Sequence, residues 1–468
     1  MILRSRSVER FIAASIREML AAKATLSPPP PRARGSPTVA LEHVDIVSAQ
    51  HGGARSRNQS SPQLGLFFPR CGAGKSPKKM SQSRDLAYRR ANSLIRSGAM
   101  GNIEMGFDLH MDLVQLLSPS GEISKAASKS SKDIERLVQF YRAMTRTRMF
   151  DNKAISLQRT GQLGTFASAL GQEAIGVGAA AAMDERDVLV PSYRDHAAQF
   201  YRGMAMSECL LYWGGDERGS DFKNARGDFP NCVPVATQAP QAVGAAYALM
   251  MRKEDRVVVS FIGDGGTSNG AFYEALNMAG VWKTPVVFII NNNGWAISTP
   301  RELESAAETL AQKGVAAGVE GRQVDGNDVI AVHEVVRRAI DKARSGGGPT
   351  LIEALTYRLG DHTTADDASR YRDPEIVRAQ WTREPIARLR AYLVSEGAWS
   401  KEQEAELHKA CAEEVDREVA AYLNVSPLNS NAMFEHLYAK LPDTLQWQRE
   451  EARRFAQRSA NGDGNGHV

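Results

Sequence analysis

GDGGTSNGAFYEALNMAGVWKTPVVFIINNNGWAIST, residues 263–299, decides how this chain folds. Immediately before it, Arg256 to Ile262 (RVVVSFI) is a short β-branched run that reads as a buried strand, and the glycines at 263, 265 and 266 break it. Asp264 therefore sits where a strand's carboxyl end opens into a loop, the edge at which parallel sheets bind ligands. A helical pattern from about Gly270 to Gly280 leads to a second strand, Pro285 to Ile290 (PVVFII), which delivers Asn291, Asn292 and Asn293 at its own carboxyl end. Strand, helix and strand in this order predict an α/β fold with a parallel sheet flanked by helices.

Asp264 and Asn293 bring a carboxylate and an amide oxygen to neighbouring strand ends. A magnesium ion takes hard oxygen ligands and bridges to phosphate, so these two and a backbone carbonyl just past the strand, such as that of Trp295, make a candidate metal set. Gly263, Gly265 and Gly266 let the backbone approach a phosphate and donate N–H groups to it. A lone GDG usually just turns the chain; the pairing with Asn293 changes the reading. A dinucleotide fingerprint is excluded because Ser268 stands where its third glycine belongs, and an EF-hand loop lacks its alternating acids.

The 468 residues allow two or three domains, with ample apolar content for a core. No apolar run approaches the roughly 20 residues of a membrane helix. Four cysteines without CxxC spacing indicate neither zinc nor a disulfide framework and fit a reducing compartment. The net charge of +4 is the sum of two unlike parts. Residues 1–105 carry 17 Lys/Arg against 6 Asp/Glu, which leaves 41 against 48 in a mildly acidic remainder, so nothing points to nucleic acid. The leading segment, rich in Ser, Pro and Arg, is expected to be disordered: a transit peptide, a basic arm, or upstream sequence read through from an early start. Met100 and Met105, just before the regular pattern, favour the last. GAGKS at 72–76 is not a P-loop, since Pro69 replaces the required glycine.

Regular structure is expected from about Lys132, with a helix over 133–158 that Asp133 can cap. A small-residue helix through Met183 allows close packing, and Asp187 to Pro191 is a strand ending in Ser192-Tyr193-Arg194-Asp195-His196. Arg194, just past that strand, can hold a diphosphate with a charge-assisted fork. His196 is left unassigned. A helix is expected from near Pro240, a partly helical segment over 301–318, a capping turn at 324–328, a basic amphipathic helix over 335–343 and a strand over 350–356. The polar loop GDHTTADDASRY at 360–371 follows that strand, where catalytic groups collect. His362 can donate to a phosphate or a developing oxyanion, and Asp366 and Asp367 can order the loop or bind an ion. Beyond Pro374 the chain is helical, with a capping box at Ser400 and Gln403 and a frayed tail over 460–468.

The GDG to Asn-Asn segment with its helix and strand is the thiamine diphosphate signature, and over roughly 105–455 the chain resembles the alpha subunit of the decarboxylating component of 2-oxo acid dehydrogenase complexes. The resemblance implies a thiamine diphosphate-binding fold with Mg²⁺ on Asp264, Asn293 and the Trp295 carbonyl. Tyr193 and Arg194 match the motif that contacts the cofactor diphosphate, Val233 and Val235 the loop that holds its aminopyrimidine through backbone groups, and His362 the histidine that reaches the active site. Thr363 stands where animal enzymes have a regulated serine. The implied reaction is oxidative decarboxylation of a 2-oxo acid with acyl transfer to a lipoyl group. The implied partners are a beta subunit, in an α2β2 heterotetramer, and a lipoyl acyltransferase core. Pyruvate is favoured, a branched-chain 2-oxo acid comes next and acetoin third; outside this class, a non-catalytic binding subunit is the alternative. The implied layout is a cofactor domain over 106–372, a helical subunit-contact region over 373–456 and a tail over 457–468. The expected location is cytoplasmic, or mitochondrial if the leading segment is a transit peptide.

Overall fold

The computed structural model describes residues 111–435 and 437–460. The basic leading segment and the tail after Ala460, with the expectations placed on them, lie outside the described residues.

Six strands form one sheet: β1 (Leu113–Val114), β2 (Val188–Val190), β3 (Val258–Gly263), β4 (Val286–Asn292), β5 (Glu320–Asp325) and β6 (Thr350–Leu355). Their order is β1-β5-β6-β4-β3-β2, and every pairing is parallel. β3 and β4 are buried along nearly all their length and mostly apolar, Ser260 and the terminal Asn291 and Asn292 excepted, because helices cover both faces. Val259, Phe261, Val287 and Ile289 enter one core, while Val258, Ile262, Val286, Phe288 and Ile290 enter the other. The registers Gly263↔Asn291 and Asn292↔Leu355 bring the strands to one common edge, so the residues just beyond each strand meet there.

The first core is closed by α1 (Ile134–Arg159), α2 (Glu173–Ala181) and, further along the chain, α7 (Val329–Arg344). Asp133 caps α1 as expected, accepting from the Arg136 N–H. The small residues of α2 are required by packing: a Cβ on Gly176 would stand 2.7 Å from that of Ala197 in α3 (His196–Tyr201). After α4 (Met206–Trp213), the second core is covered by α5 (Gln238–Met251) and α6 (Gly270–Trp282). α5 begins two residues before Pro240, and α7 six before Val335. Asp328 sets the latter start: one carboxylate oxygen accepts from the Ile330 and Ala331 N–H groups, and the other from Leu116 and Leu117. That contact also holds the edge strand β1, whose two residues are too few to show a period.

Two expectations shift. β4 continues to Asn292, because Asn292 accepts the Thr356 N–H at 2.9 Å and its amide donates to Glu353 at 2.7 Å. Residues 301–318 are mostly loop, with helical turns only at Arg301–Glu304 and Lys313–Ala316. The Arg301 guanidinium caps the carbonyls of Ser305 and Ala307, which a continuing helix would need for itself.

The C-terminal helices are α8 (Pro374–Trp381), α9 (Pro385–Ser395), α10 (Lys401–Leu423) and α11 (Asp443–Ala460). α9 buries Ile386, Leu389, Tyr392 and Leu393 in the same core as Leu137, Phe140 and Tyr141 of α1. Buried Arg388 pairs with Asp325 at 2.7 Å, fastening α9 to the end of β5. The Ser400–Gln403 capping box starts α10 where the sequence places it. Among the described residues no helix is long and apolar enough to cross a membrane.

Candidate active site

A cavity of about 220 Å³ opens at the carboxyl ends of β2, β3 and β4 and is closed on one side by the loop after β6. Tyr193, Arg194, Val233, Val235, Gly263, Asp264, Gly265, Gly266, Asn293, Trp295 and His362 all line it. The structure thus brings these eleven residues together, from segments up to 169 positions apart, while Asp366 and Asp367 do not line the cavity.

The geometry centres on one backbone N–H. Trp295 N donates to an Asp264 carboxylate oxygen at 3.0 Å and to the Asn293 amide oxygen at 3.2 Å. A carboxylate just past β3 and an amide just past β4 are therefore gathered within reach of a single atom. The other Asp264 oxygen accepts from Gly265 N at 3.0 Å. Burial raises the Asp264 pKa, against the pull of the Gly265, Gly294 and Trp295 N–H groups. A bound cation would relieve that burial cost. Glu304, beside this loop, is pushed up to about 7 by burial and by the Asp264 charge.

A cation with a phosphate ligand fits this lining. Gln172, Gln238 and Asn291 line the cavity, and their Nε2, Oε1 and Oδ1 atoms respectively are buried without a protein partner. A Cβ on Gly263 would meet nothing, whereas one on Gly265 would strike the Ala296 Cβ at 2.4 Å. Among the described residues no three His, Cys, Asp or Glu side chains form a group that could hold a metal ion by themselves. The set offered here holds one carboxylate, so a divalent cation on it needs further negative charge from its ligand.

Arg194 is buried, and much of its fork is already engaged: Nη1 donates to Ser168 O at 2.6 Å and Nη2 to His362 O at 2.8 Å. It is a fixed cation joining two loops, not a free arm. Its Nη2 also lies 3.3 Å from His362 Nδ1, and Arg358 Nη1 lies 3.4 Å from the same atom. Guanidinium groups only donate, so Nδ1 accepts and the imidazole carries its proton on Nε2. Burial, then Arg194 and Arg358, lower the His362 pKa to about 4. The ring is neutral at pH 7. Tyr193 meets it edge-on, ring centres 6.2 Å apart.

Arg358 escaped the sequence reading. It is 1% exposed and donates to Ile297 O at 2.7 Å, Tyr371 Oη at 2.8 Å and Trp295 O at 3.3 Å. Tyr371 in turn donates to Asp366, which accepts the His362 N–H at 2.9 Å. Asp366 therefore orders the loop that carries His362, and Asp367 caps the short turn Ala368–Arg370. The only signal for Arg358 was its place three residues beyond a strand end, two residues before the 360–371 run that contains His362. Gln172 and Gln238 carried none, since an amide near a small-residue helix reads as ordinary packing, and Asn291 stood out only as one of three asparagines at a strand end. His196 is structural: its Nε2 meets Asp151 at 2.7 Å, both side chains buried behind the site.

Fold and cavity define an α/β protein with a polar ligand site at the strand ends of a parallel sheet. Comparison with known proteins narrows this. The profile of the dehydrogenase E1 component family matches residues 141–424, and the chain belongs to that family. It is 42% identical over 326 residues to a pyruvate dehydrogenase E1 component subunit alpha of Acholeplasma laidlawii, covering 69% of this chain and 94% of the relative. A 3-methyl-2-oxobutanoate dehydrogenase subunit alpha of Mycobacterium tuberculosis is 41% identical over 352 residues, covering 75% and 95%. A pyruvate dehydrogenase E1 component subunit alpha of Staphylococcus aureus is 36% identical over 341 residues, covering 72% and 92%.

Proposed function

We propose that this chain is the alpha subunit of the thiamine diphosphate-dependent decarboxylating component of a 2-oxo acid dehydrogenase complex, with pyruvate as substrate. The observation that carries the reading is the convergence of Asp264 and Asn293 on the Trp295 N–H in a cavity that also holds Arg194 and His362. Thiamine diphosphate, when bound, supplies the carbon nucleophile and electron sink for decarboxylation. The chain's own residues hold and polarise. Asp264, Asn293 and the Trp295 carbonyl would hold Mg²⁺ on the diphosphate, Gly263 leaves room beside it, and Gly265 and Gly266 keep the adjoining turn close against Ala296 and Ile262. Arg194 balances its charge beside Tyr193, and backbone groups of Val233 and Val235 face the aminopyrimidine. Neutral His362 offers its Nε2 proton to a phosphate or oxyanion oxygen during acyl transfer to the lipoyl group.

The reading requires a beta subunit in an α2β2 heterotetramer, because the glutamate facing the aminopyrimidine comes from that chain in the family the sequence resembles. A lipoyl acyltransferase core takes the product. Residues 106–372 serve as the cofactor-binding part and 373–456 as the subunit-contact part, in the cytoplasm. Intact Asp264, Asn293, Arg194 and His362 speak against a non-catalytic subunit. The second reading, a branched-chain 2-oxo acid as substrate, is supported by the 41% identity to the Mycobacterium tuberculosis relative.

The test is ferricyanide-coupled decarboxylation with thiamine diphosphate and Mg²⁺, for the chain alone and co-expressed with the beta subunit from its own genome. Pyruvate is compared with 3-methyl-2-oxobutanoate. Activity is expected only in the pair and faster with pyruvate. A preference for the branched acid would replace the substrate assignment, and a well-folded pair inactive on both would sink the reading or move it to acetoin.

A further inference from the structure

Beyond the candidate ligands lies a carboxylate to which none of the sequence reading gave a role. Glu304 closes the short helical turn Arg301–Glu304 after a two-residue hairpin, in which Trp295–Ala296 pairs with Thr299–Pro300. The hairpin turns through Ile297 at φ +55, a conformation a β-branched residue adopts only when its surroundings impose it. That fold returns Glu304 to the strand end. Its Oε1 accepts the Ala296 N–H at 2.7 Å, and its backbone carbonyl accepts the Ser268 hydroxyl at 2.7 Å. Its Oε2 is buried with no protein partner. Nine residues on, Lys313 donates to the Thr267 carbonyl and hydroxyl, both at 2.9 Å. Residues 304–313 thus strap the Asp264 loop and the hairpin together from behind.

The N–H of Ala296 and the carbonyl of Trp295 belong to the same planar peptide unit and point in opposite directions. A carboxylate on the N–H therefore fixes the direction of the carbonyl and increases the electron density on its oxygen. That oxygen has two lone pairs, so the 3.3 Å contact from Arg358 leaves one free. The geometry points to Glu304 as the positioning residue for the Mg²⁺ site: it orients and polarises the Trp295 carbonyl as a metal ligand from the far side of its own peptide. This rests on the metal reading proposed above.

Mn²⁺, read by electron paramagnetic resonance, serves as the probe in the co-expressed alpha–beta pair with thiamine diphosphate present. Glu304→Met, which removes the acceptor at similar length, is expected to weaken Mn²⁺ binding about 10–100-fold, as loss of an outer-shell partner does. Glu304→Gln keeps an acceptor oxygen for Ala296 and is expected to restore most of the affinity. The thermal midpoint of the cofactor-free pair should change little, which a purely structural role would not allow. Should the Met variant fail to fold, Ser268→Ala, at an exposed position, is expected to give a smaller loss of Mn²⁺ affinity in the same direction. Unchanged Mn²⁺ affinity in the Met variant, or in Ser268→Ala where that stands in for it, overturns the inference; equal losses in the Met and Gln variants do so too. Asp264→Ala separates the levels. If it abolishes Mn²⁺ binding while the Glu304 variants do not weaken it, only the role of Glu304 falls. If Asp264→Ala also leaves affinity intact, the metal reading and the inference fall together.

Discussion

Two cavities lie at opposite ends of the same sheet. The one at the amino ends, lined by Glu320, Arg322, Glu334, Arg338 and Lys342 above an apolar floor, is the larger at about 320 Å³. Its charges satisfy one another: Glu320 pairs with Arg322 and Lys342, and Glu334 with Arg338. The cavity at the carboxyl ends measures about 220 Å³, yet three of the residues that line it, Gln172, Gln238 and Asn291, each keep a buried polar atom without a protein partner. Buried polar groups cost free energy unless hydrogen-bonded, so three unpartnered atoms on residues lining one small cavity mark it as the end built to bind something else. Unmet polar demand, not volume, separates the two ends.

Substitutions at the two ends should behave accordingly. The largest effect is expected for Asp264→Ala in the assembled pair. Loss of a direct ligand should weaken Mg²⁺-dependent cofactor binding by more than about 100-fold, beyond the range for outer-shell partners, as read by calorimetric titration. The matching change at the other end, Arg338→Ala, should leave that titration unchanged; a comparable loss there would erase the distinction. Arg358→Met comes next. Removing a fully buried guanidinium that joins Ile297, Tyr371 and Trp295 should lower stability by about 3 kcal/mol and expose the 360–371 loop to trypsin. A loop still resistant to protease would show that Asp366 and Tyr371 hold it without Arg358.

His362 gives an intermediate effect with a defined sign. Its folded pKa, about 4, lies below the ordinary value of 6.5, so folding favours the neutral ring. The stability linked to it is fully present above pH 6.5 and declines as pH falls toward about 4. Unfolding free energy measured from pH 4 to 7 should fall less steeply on acidification in His362→Gln than in the parent chain. Parallel curves would mean that burial, with Arg194 and Arg358, does not depress the histidine. The smallest effect is expected far from the site: Ser400→Ala should cost about 1 kcal/mol by removing the α10 cap, with cofactor affinity unaltered.

The central strands were legible because burial on both faces leaves short runs rich in β-branched residues, and the starts of α1 and α10 because Asp133 and Ser400 act on their own neighbours. The eleven lining residues were legible in part for the same reason. Asp264, Asn293 and His362 follow strand ends, and a strand followed by glycine or asparagine can be seen locally. Residues 301–318 and Arg358 were not, because their partners are far along the chain: Lys313 reaches Thr267, Glu304 reaches Ala296, and Arg358 reaches the Trp295 and Ile297 carbonyls. A lysine or glutamate in a polar stretch looks solvated until the fold supplies its partner.

By itself, then, the sequence determined the parallel α/β class, the strands that carry the site and the residues at their ends, since all of these rest on period, glycine and short-range capping. Tertiary structure alone decided that Asp264 and Asn293 share one N–H, that His362 is neutral between two guanidiniums, and that Glu304 sits behind the Trp295 carbonyl. Each of these depends on distance and burial between segments that only folding brings together.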